Sequence, residues 1–339
     1  MLKIDGSRGE GGGQVLRTSL ALAIITGRPV LIENIRAKRD KPGLRRQHLT
    51  AVRAAATISG AELSGDAIGS RELRFTPGAA RPGDYKFDIG SAGSTTLVLQ
   101  TILFPLLLAS GRSEIELIGG THNPFAPPFD FLERAFLPLV NRMGAHVAIA
   151  LERPGFYPAG GGRWRVQIEP AAGLAPLELV ERGETRRRLC RATLANLPDH
   201  IAERELAAVA AVLDWPEECF EVRRYDQRHF GPGNVVTIEI ESEQATEVFT
   251  AFGRRGVPAE TVAREVAAEA RRYLEADVPI GEHLADQLIL PLALAGGGKY
   301  VTLPLTPHAT TNIEIVGKFL DVPIRVESLD DRRWQVRVG

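Results

Sequence analysis

The chain has 339 residues, 44% hydrophobic and 24% charged, enough apolar material for a full core and, by length, about two domains. Its 41 Lys/Arg and 42 Asp/Glu residues leave a formal charge of -1, which excludes a protein that coats duplex nucleic acid by bulk charge and requires any anion site to be local. The two cysteines, Cys190 and Cys219, form no C-x-x-C pair, so neither a zinc site nor a disulfide framework is indicated, and reduced thiols in a cytoplasmic protein are the expectation.

Residues 1–6 lack the apolar centre of a secretory signal and read as a first strand over 2–5. A glycine-rich loop then opens an apolar helix over 14–25. A strand near 30–35, a helix from about 44 to 59 and short strands near 61–64 and 72–76 complete a βαβαββ unit. The order repeats with a strand over 85–89, a helix over 94–109, a strand over 114–118, a helix over 129–143, and strands over 146–151 and 164–168. Residues 97–109 are the most apolar stretch, but they are too short for a bilayer span of roughly 20 residues and read as a buried helix, so no membrane association is expected. A third copy reads as helix 284–295, strand 300–303, helix 311–319 and strands 323–328 and 333–338, its first strand falling near 177–180. The first helix of each copy carries a glutamine (Gln14, Gln100, Gln287) and is followed by Gly27, Gly111 or Gly296 as a C-cap signal.

Residues 182–276 do not fit this repeat. They read as strand 189–194, helix 202–213, strands 220–224 and 235–241, and helix 258–275. The expected fold is therefore α+β: three βαβαββ repeats forming a large domain (1–181 and 277–339), with a smaller α+β domain inserted in the third repeat.

Four clusters carry candidate chemistry. In Arg8-Gly9-Glu10-Gly11-Gly12-Gly13-Gln14-Val15-Leu16-Arg17, four glycines open a helix and expose backbone N–H groups to a phosphate, and Glu10 beside them suits a bridging divalent cation. The Lys-Ser/Thr ending of a Walker A loop is absent. Residues 36–48 place six Lys/Arg in thirteen positions, leaning toward anion binding, although such a run also serves as a solvated face. Residues 281–287 (Gly-Glu-His-Leu-Ala-Asp-Gln) offer polar groups for a nucleotide or for helix capping. Residues 119–131, rich in Pro and Phe, suit stacking on a base or simple packing.

Near the C-terminus, Leu303-Pro304-Leu305-Thr306-Pro307-His308 forms a proline-stiffened turn. The T-x-x-E spacing of Thr311 and Glu314 predicts a capping box, opening the last helix at Thr311 with His308 just upstream. A neutral imidazole there has a free lone pair and is a candidate nucleophile, while a lone loop histidine is more often merely solvated.

Together, Glu10 to Arg17, Lys41-Pro42-Gly43-Leu44-Arg45-Arg46-Gln47-His48, Gly119-Gly120-Thr121, Asp286-Gln287, and His308 with Thr311-Asn312-Ile313 resemble the RNA 3′-terminal phosphate cyclases over essentially the whole chain. The resemblance implies an ATP-dependent enzyme that converts an RNA 3′-phosphate to a 2′,3′-cyclic phosphate through a histidine–AMP adduct and an RNA(3′)pp(5′)A intermediate, with a divalent cation (Mg²⁺ or Mn²⁺). By position it implies His308 as nucleophile and Glu10 as metal ligand. Gln100, Pro127, Phe131, His283, Leu284, Ala285, Asp286 and Gln287 would lie around ATP, with Pro127 and Phe131 flanking adenine. Arg17, Arg36, Arg39, Gln47 and His48 would hold the RNA terminal phosphate. Many members have Tyr where this chain has His283. A cyclase-like branch that lacks the histidine serves as a ribosome-assembly factor, and enolpyruvyl transferases need two three-repeat domains. His308 and the single three-repeat set separate this chain from both.

Overall fold

The computed structural model describes residues 1–225 and 231–339. The chain folds as α+β, with four four-stranded sheets among the described residues. The first sheet comes from β1 (Leu2–Asp5), α1 (Gly13–Thr26), β2 (Val30–Glu33), α2 (Arg46–Ser59), β3 (Glu62–Ser64) and β4 (Leu73–Thr76), with strand order β1-β2-β4-β3. The α1 crossover makes β1 and β2 parallel, and the remaining pairs are antiparallel. The second sheet comes from β5 (Asp84–Asp88), α3 (Thr95–Leu107), β6 (Ser113–Gly119), α4 (Phe129–Phe131), a π turn (Leu132–Phe136), α5 (Leu137–Arg142), β7 (His146–Arg153) and β8 (Gly162–Glu169). Its order is β5-β6-β8-β7.

A third sheet begins with β9 (Leu177–Leu179). Before its next strand come β10 (Thr185–Ala195), α6 (His200–Leu213), a 3₁₀ turn (Glu217–Cys219), β11 (Phe220–Tyr225), β12 (Gly233–Ser242), β13 (Thr246–Phe252) and α7 (Ala259–Ala276), whose strands make a separate sheet ordered β11-β10-β12-β13. The third sheet then resumes with α8 (Glu282–Ala295), β14 (Gly298–Thr302), α9 (Pro307–Phe319), β15 (Ile324–Ser328) and β16 (Trp334–Val338). Its order is β9-β14-β16-β15, with β9 and β14 parallel. In all three repeat sheets the first strand pairs with the second, the second with the fourth, and the fourth with the third.

Burial follows the apolar pattern. Alternation along β8 turns Trp164, Val166 and Ile168 into the core. Helix α1 is buried from Gln14 to Ile24 because it lies between α3 and α9, and its buried polar side chains, Gln14, Arg17, Thr18 and Ser19, all fall in its first half. One continuous core runs from Ile4 through Leu103 and Trp164 to Val338 and joins the three repeat sheets. The intervening sheet carries a second cluster, including Val236, Ile238, Val262 and Tyr273, under the paired α6 and α7. Among the described residues no helix is long and apolar enough to cross a membrane.

Several boundaries differ from the expected ones. The last helix opens at Pro307, not Thr311: Thr306 is the N-cap, its Oγ1 accepts the Ala309 N–H at 3.2 Å, and Pro307 occupies the first helical position. His308 therefore lies within the first turn. Helix α2 starts at Arg46 because Leu44 is held outside it by Ser70, whose carbonyl accepts the Leu44 N–H at 2.9 Å. Gly111 does not cap α3, which ends at Leu107 with Leu108 as C-cap. The helix expected over 129–143 contains the π turn, and strand β13 had no counterpart in the sequence reading.

Candidate active site

The glycine loop is seated on the first turn of α9. Gly9 has φ +57, and a Cβ there would fall 2.0 Å from Thr311 Oγ1. That hydroxyl accepts the Glu10 N–H at 3.0 Å and donates to the Pro307 carbonyl at 2.6 Å. The seating brings Glu10 to His308: Glu10 Oε1 lies 4.0 Å from His308 Nδ1, with the glutamate side chain 6% exposed and the imidazole 54% exposed. Arg39 donates to the other carboxylate oxygen of Glu10. Bare glycine faces let the charged groups converge, since a Cβ at Gly12 would meet both Glu10 oxygens at 2.3–2.4 Å. At Gly13 it would meet Arg17 Nη1 at 2.5 Å and His48 Nε2 at 2.8 Å.

Arg17 is buried, and its Nη2 donates to Gln14 Oε1 at 2.9 Å. Burial lowers its pKa to about 10, against the opposing pull of Glu10 and Asp286, so the guanidinium stays charged at neutral pH. His48 is also buried. Desolvation first, then Arg17, Arg36 and Arg45, push its pKa down to about 3, so the ring is neutral. Its Nδ1 accepts the Arg45 N–H at 3.3 Å, which assigns the proton to Nε2, the nitrogen facing Gly13. A charged fork and a neutral N–H donor thus meet at the loop floor.

The other two cationic-loop candidates are differently engaged. Arg36 spans its own loop, donating to the Lys41 carbonyl at 2.7 Å and the Gly43 carbonyl at 3.0 Å, while Gln47 Oε1 accepts the Ser94 N–H at 3.1 Å.

A largely buried polar network ties four helices together, α1, α3, α8 and α9. Thr18 Oγ1 donates to Asn312 Oδ1 at 2.9 Å, and Asn312 Nδ2 donates to the Asp286 carbonyl at 3.0 Å. Gln287 Nε2 donates to Asp286 Oδ2 at 2.9 Å, and Gln100 Nε2 donates to Gln287 Oε1. Burial raises the pKa of the Asp286 carboxyl, opposed by His308, Arg17 and His283. Thr18 had no role in the sequence reading. Its signal was a polar residue four positions, about one helical turn, after Gln14 on the same face of α1. Gln100, Asp286 and Gln287 are brought together from two helices.

Leu284 and Ala285 are fully buried core side chains, and the Ala285 carbonyl accepts Tyr300 Oη–H at 2.8 Å. His283 is exposed. Pro127 is half-buried, its carbonyl accepting Thr96 Oγ1–H at 2.7 Å, whereas Phe131 is 3% exposed within the core.

Three buried polar atoms at this convergence have no hydrogen-bond partner among the described residues: Glu10 Oε1, Arg17 Nε and Asp286 Oδ1. Unpaired buried polar groups are costly, so their clustering is what a site shaped for a polar ligand displays. Glu10 Oε1 fits a hard cation as an anionic oxygen donor. No group of three or more His, Cys, Asp or Glu side chains among the described residues is placed to hold a metal, so a cation at Glu10 would share its shell with ligand oxygens.

Fold and site define a repeat-built α+β enzyme whose polar groups converge on a helix-borne histidine. A sequence model of the family described as RNA 3′-terminal phosphate cyclase matches residues 8–326. The chain is 51% identical over 326 residues, covering 96% of itself and 92% of its relative, to the RNA 3′-terminal phosphate cyclase of Koribacter versatilis. It is 49% identical over 340 residues to that of Ectopseudomonas mendocina, covering 100% of itself and 98% of the relative. For the Salmonella typhimurium protein of the same name the figures are 51% over 339 residues, 100% and 99%. The chain belongs to the RNA 3′-terminal phosphate cyclase family.

Proposed function

We propose that this protein is an ATP-dependent RNA 3′-terminal phosphate cyclase acting through His308. The observation that carries this reading is the placement of His308 in the first turn of α9, with Glu10 Oε1 4.0 Å from its Nδ1 and Arg17 and His48 meeting at Gly13 beyond. With Nδ1 turned to Glu10, Nε2 is left to attack the α-phosphorus of ATP, forming an N–P bond as pyrophosphate leaves. An oxygen of the RNA 3′-phosphate then takes the AMP from His308, giving RNA(3′)pp(5′)A. The vicinal 2′-OH attacks the 3′-phosphorus, loses its proton and expels AMP, leaving the 2′,3′-cyclic phosphate. Adenylylation supplies the leaving group that a phosphate monoester dianion lacks.

Arg17, with Arg39 nearby and the Nε2–H of His48, would hold the terminal phosphate, and Gln47 would orient it with its amide N–H groups. Arg36 shapes the loop that presents Arg39. Gln100, Asp286 and Gln287 would bind ATP, with the Pro127 ring against adenine and Phe131 supporting it from the core. A divalent cation at Glu10 would neutralise charge on the phosphates. Residues 182–276 form the inserted small domain in this reading, and the protein works in the cytoplasm.

The test is intact mass after incubation with ATP and Mg²⁺, for the wild type and His308→Ala. One acid-labile AMP added to the wild type alone is expected. A folded wild type that gains none under varied metal, yet binds RNA, supports instead a cyclase-like factor without catalysis.

A further inference from the structure

One buried carboxyl outside the proposed chemistry reaches the helix that carries the nucleotide candidates. Glu247, on β13 of the inserted sheet, is 1% exposed, and its Oε1 accepts the backbone N–H of Gly281 at 2.5 Å. Gly281 is the N-cap of α8 and has no side chain with which to cap the helix itself. A Cβ at Gly281 would come within 3.1–3.2 Å of the Glu247 carboxyl atoms, so the glycine admits the carboxyl and little more. Other contacts hold the same joint between α7 and α8. Tyr273 Oη donates to the Pro279 carbonyl at 3.3 Å, Arg182 pairs with Asp277 at 2.7 Å, and Ile280 bridges to Thr302 of β14. Five and six positions into α8 lie Asp286 and Gln287, hydrogen-bonded into the network with Asn312 and Gln100.

The same sheet also braces the segment that carries Pro127. Asp130 bonds His122 Nε2 at 2.7 Å and faces Arg191 of β10 at 3.8 Å and Arg223 of β11 at 3.9 Å. Two walls of the proposed ATP site, α8 and the 119–131 segment, are thus each tied to the inserted sheet through polar groups, fully buried at Glu247 and partly exposed at Asp130. A fully buried carboxyl costs more than an apolar side chain of its size, so its presence calls for a contact that an apolar group cannot make. The contact here is the Gly281 N–H. Burial pushes the Glu247 pKa up to about 8, so at neutral pH the group is largely an uncharged acid accepting through its carbonyl oxygen.

We propose that Glu247 is a positioning residue through which the inserted sheet fixes the start of α8 and thereby sets the affinity for ATP. This rests on the reading of α8 as part of the ATP site. Small displacements at the N-cap are transmitted along a rigid helix, and a hydrogen-bonding site that is out of place by a fraction of an ångström loses binding energy.

The experiment follows His308 adenylylation by the full chain with α-labelled ATP and Mg²⁺, and cyclisation with an RNA 3′-phosphate, for the wild type, Glu247→Ala, Glu247→Gln and Gly281→Ala. Glu247→Ala is expected to raise KM for ATP roughly 5- to 20-fold, as loss of a buried hydrogen bond does. Its maximal rate and its KM for the RNA 3′-phosphate should stay within about twofold of wild type, because the contact lies on the ATP side. Glu247→Gln keeps a carbonyl acceptor of the same length and should restore the wild-type KM. Gly281→Ala, crowding the carboxyl from the other side, should act like Glu247→Ala and decides the matter if that variant does not fold. An unchanged KM for ATP in folded Glu247→Ala or Gly281→Ala overturns the proposal, as does a Glu247→Gln variant no better than Glu247→Ala. A wild type that forms no adduct overturns the ATP reading and this proposal with it, which separates the two failures.

Discussion

The backbone N–H of Glu10 donates to Thr311 Oγ1 across 3.0 Å of space and 301 positions of chain. Through this bond the loop that presents a carboxylate and the helix that presents His308 become one object. Its weak point is Gly9, at φ +57 and with Thr311 Oγ1 2.0 Å from where a Cβ would sit. Gly9→Ala should destabilise the fold by about 1–2 kcal/mol in urea melts and slow His308 adenylylation on the order of 100-fold, because the loop must lift off α9. Thr311→Ser keeps the hydroxyl and should stay near wild type in both measurements.

Glu10 holds Arg39 on one oxygen and leaves the other, buried and facing His308, without a hydrogen-bond partner among the described residues. Glu10→Gln keeps the shape and loses the charge. It should fold normally but need at least about 10-fold more Mg²⁺ for half-maximal adduct formation, since a neutral amide is a weaker ligand for a hard cation. A metal titration of the labelled-ATP reaction checks this.

Asn312 satisfies two buried groups at once, Thr18 Oγ1 and the Asp286 carbonyl. Asn312→Leu strips both of a partner and should cost about 2–6 kcal/mol of unfolding free energy, at roughly 1–3 kcal/mol for each buried polar group left unpaired. Thr18→Val takes a partner from Asn312 Oδ1 and only a long one, at 3.4 Å, from Gln14 Nε2, and should cost less. Equal losses in urea titrations of the two variants would show that the network does not bind the helices in the way its geometry indicates.

The buried neutral His48 makes stability depend on pH in a definite direction. Its folded pKa of about 3 lies below the ordinary value of 6.5, so between those pH values the unfolded chain binds the proton and the folded chain does not. Stability from this group is flat above pH 6.5 and falls as pH drops toward 3, by about 2 kcal/mol from pH 6.5 to 5 at 1.36 kcal/mol per unit. His48→Gln should remove that slope, which urea melts at pH 7.5 and 5 would reveal.

The short-range elements were legible in the sequence because their causes are local. Alternating apolar residues at Trp164, Val166 and Ile168 declare a strand with one buried face, and the apolar run before Gly27 declares a buried helix with a left-handed C-cap. The repeated unit followed from these patterns, as did the clustering of Glu10, Arg17, His48, Asp286 and His308 into recognisable motifs. Where two local signals competed, contacts from distant parts of the chain chose between them. Thr311 had the spacing of a capping box, but its hydroxyl bonds Glu10 and Pro307, so Thr306 caps α9 and His308 moves inside the first turn. Phe131 had the chemistry of a stacking platform, yet the core covers its ring. Glu247 carried no local sign of a role, since its partner Gly281 lies 34 positions away. Periodicity, glycine placement and charge density thus set most strands and helices and the residue types that meet at the site. Which oxygen faces which nitrogen came from the packed fold, because hydrogen-bond geometry is set by the packing of segments that no short-range pattern relates.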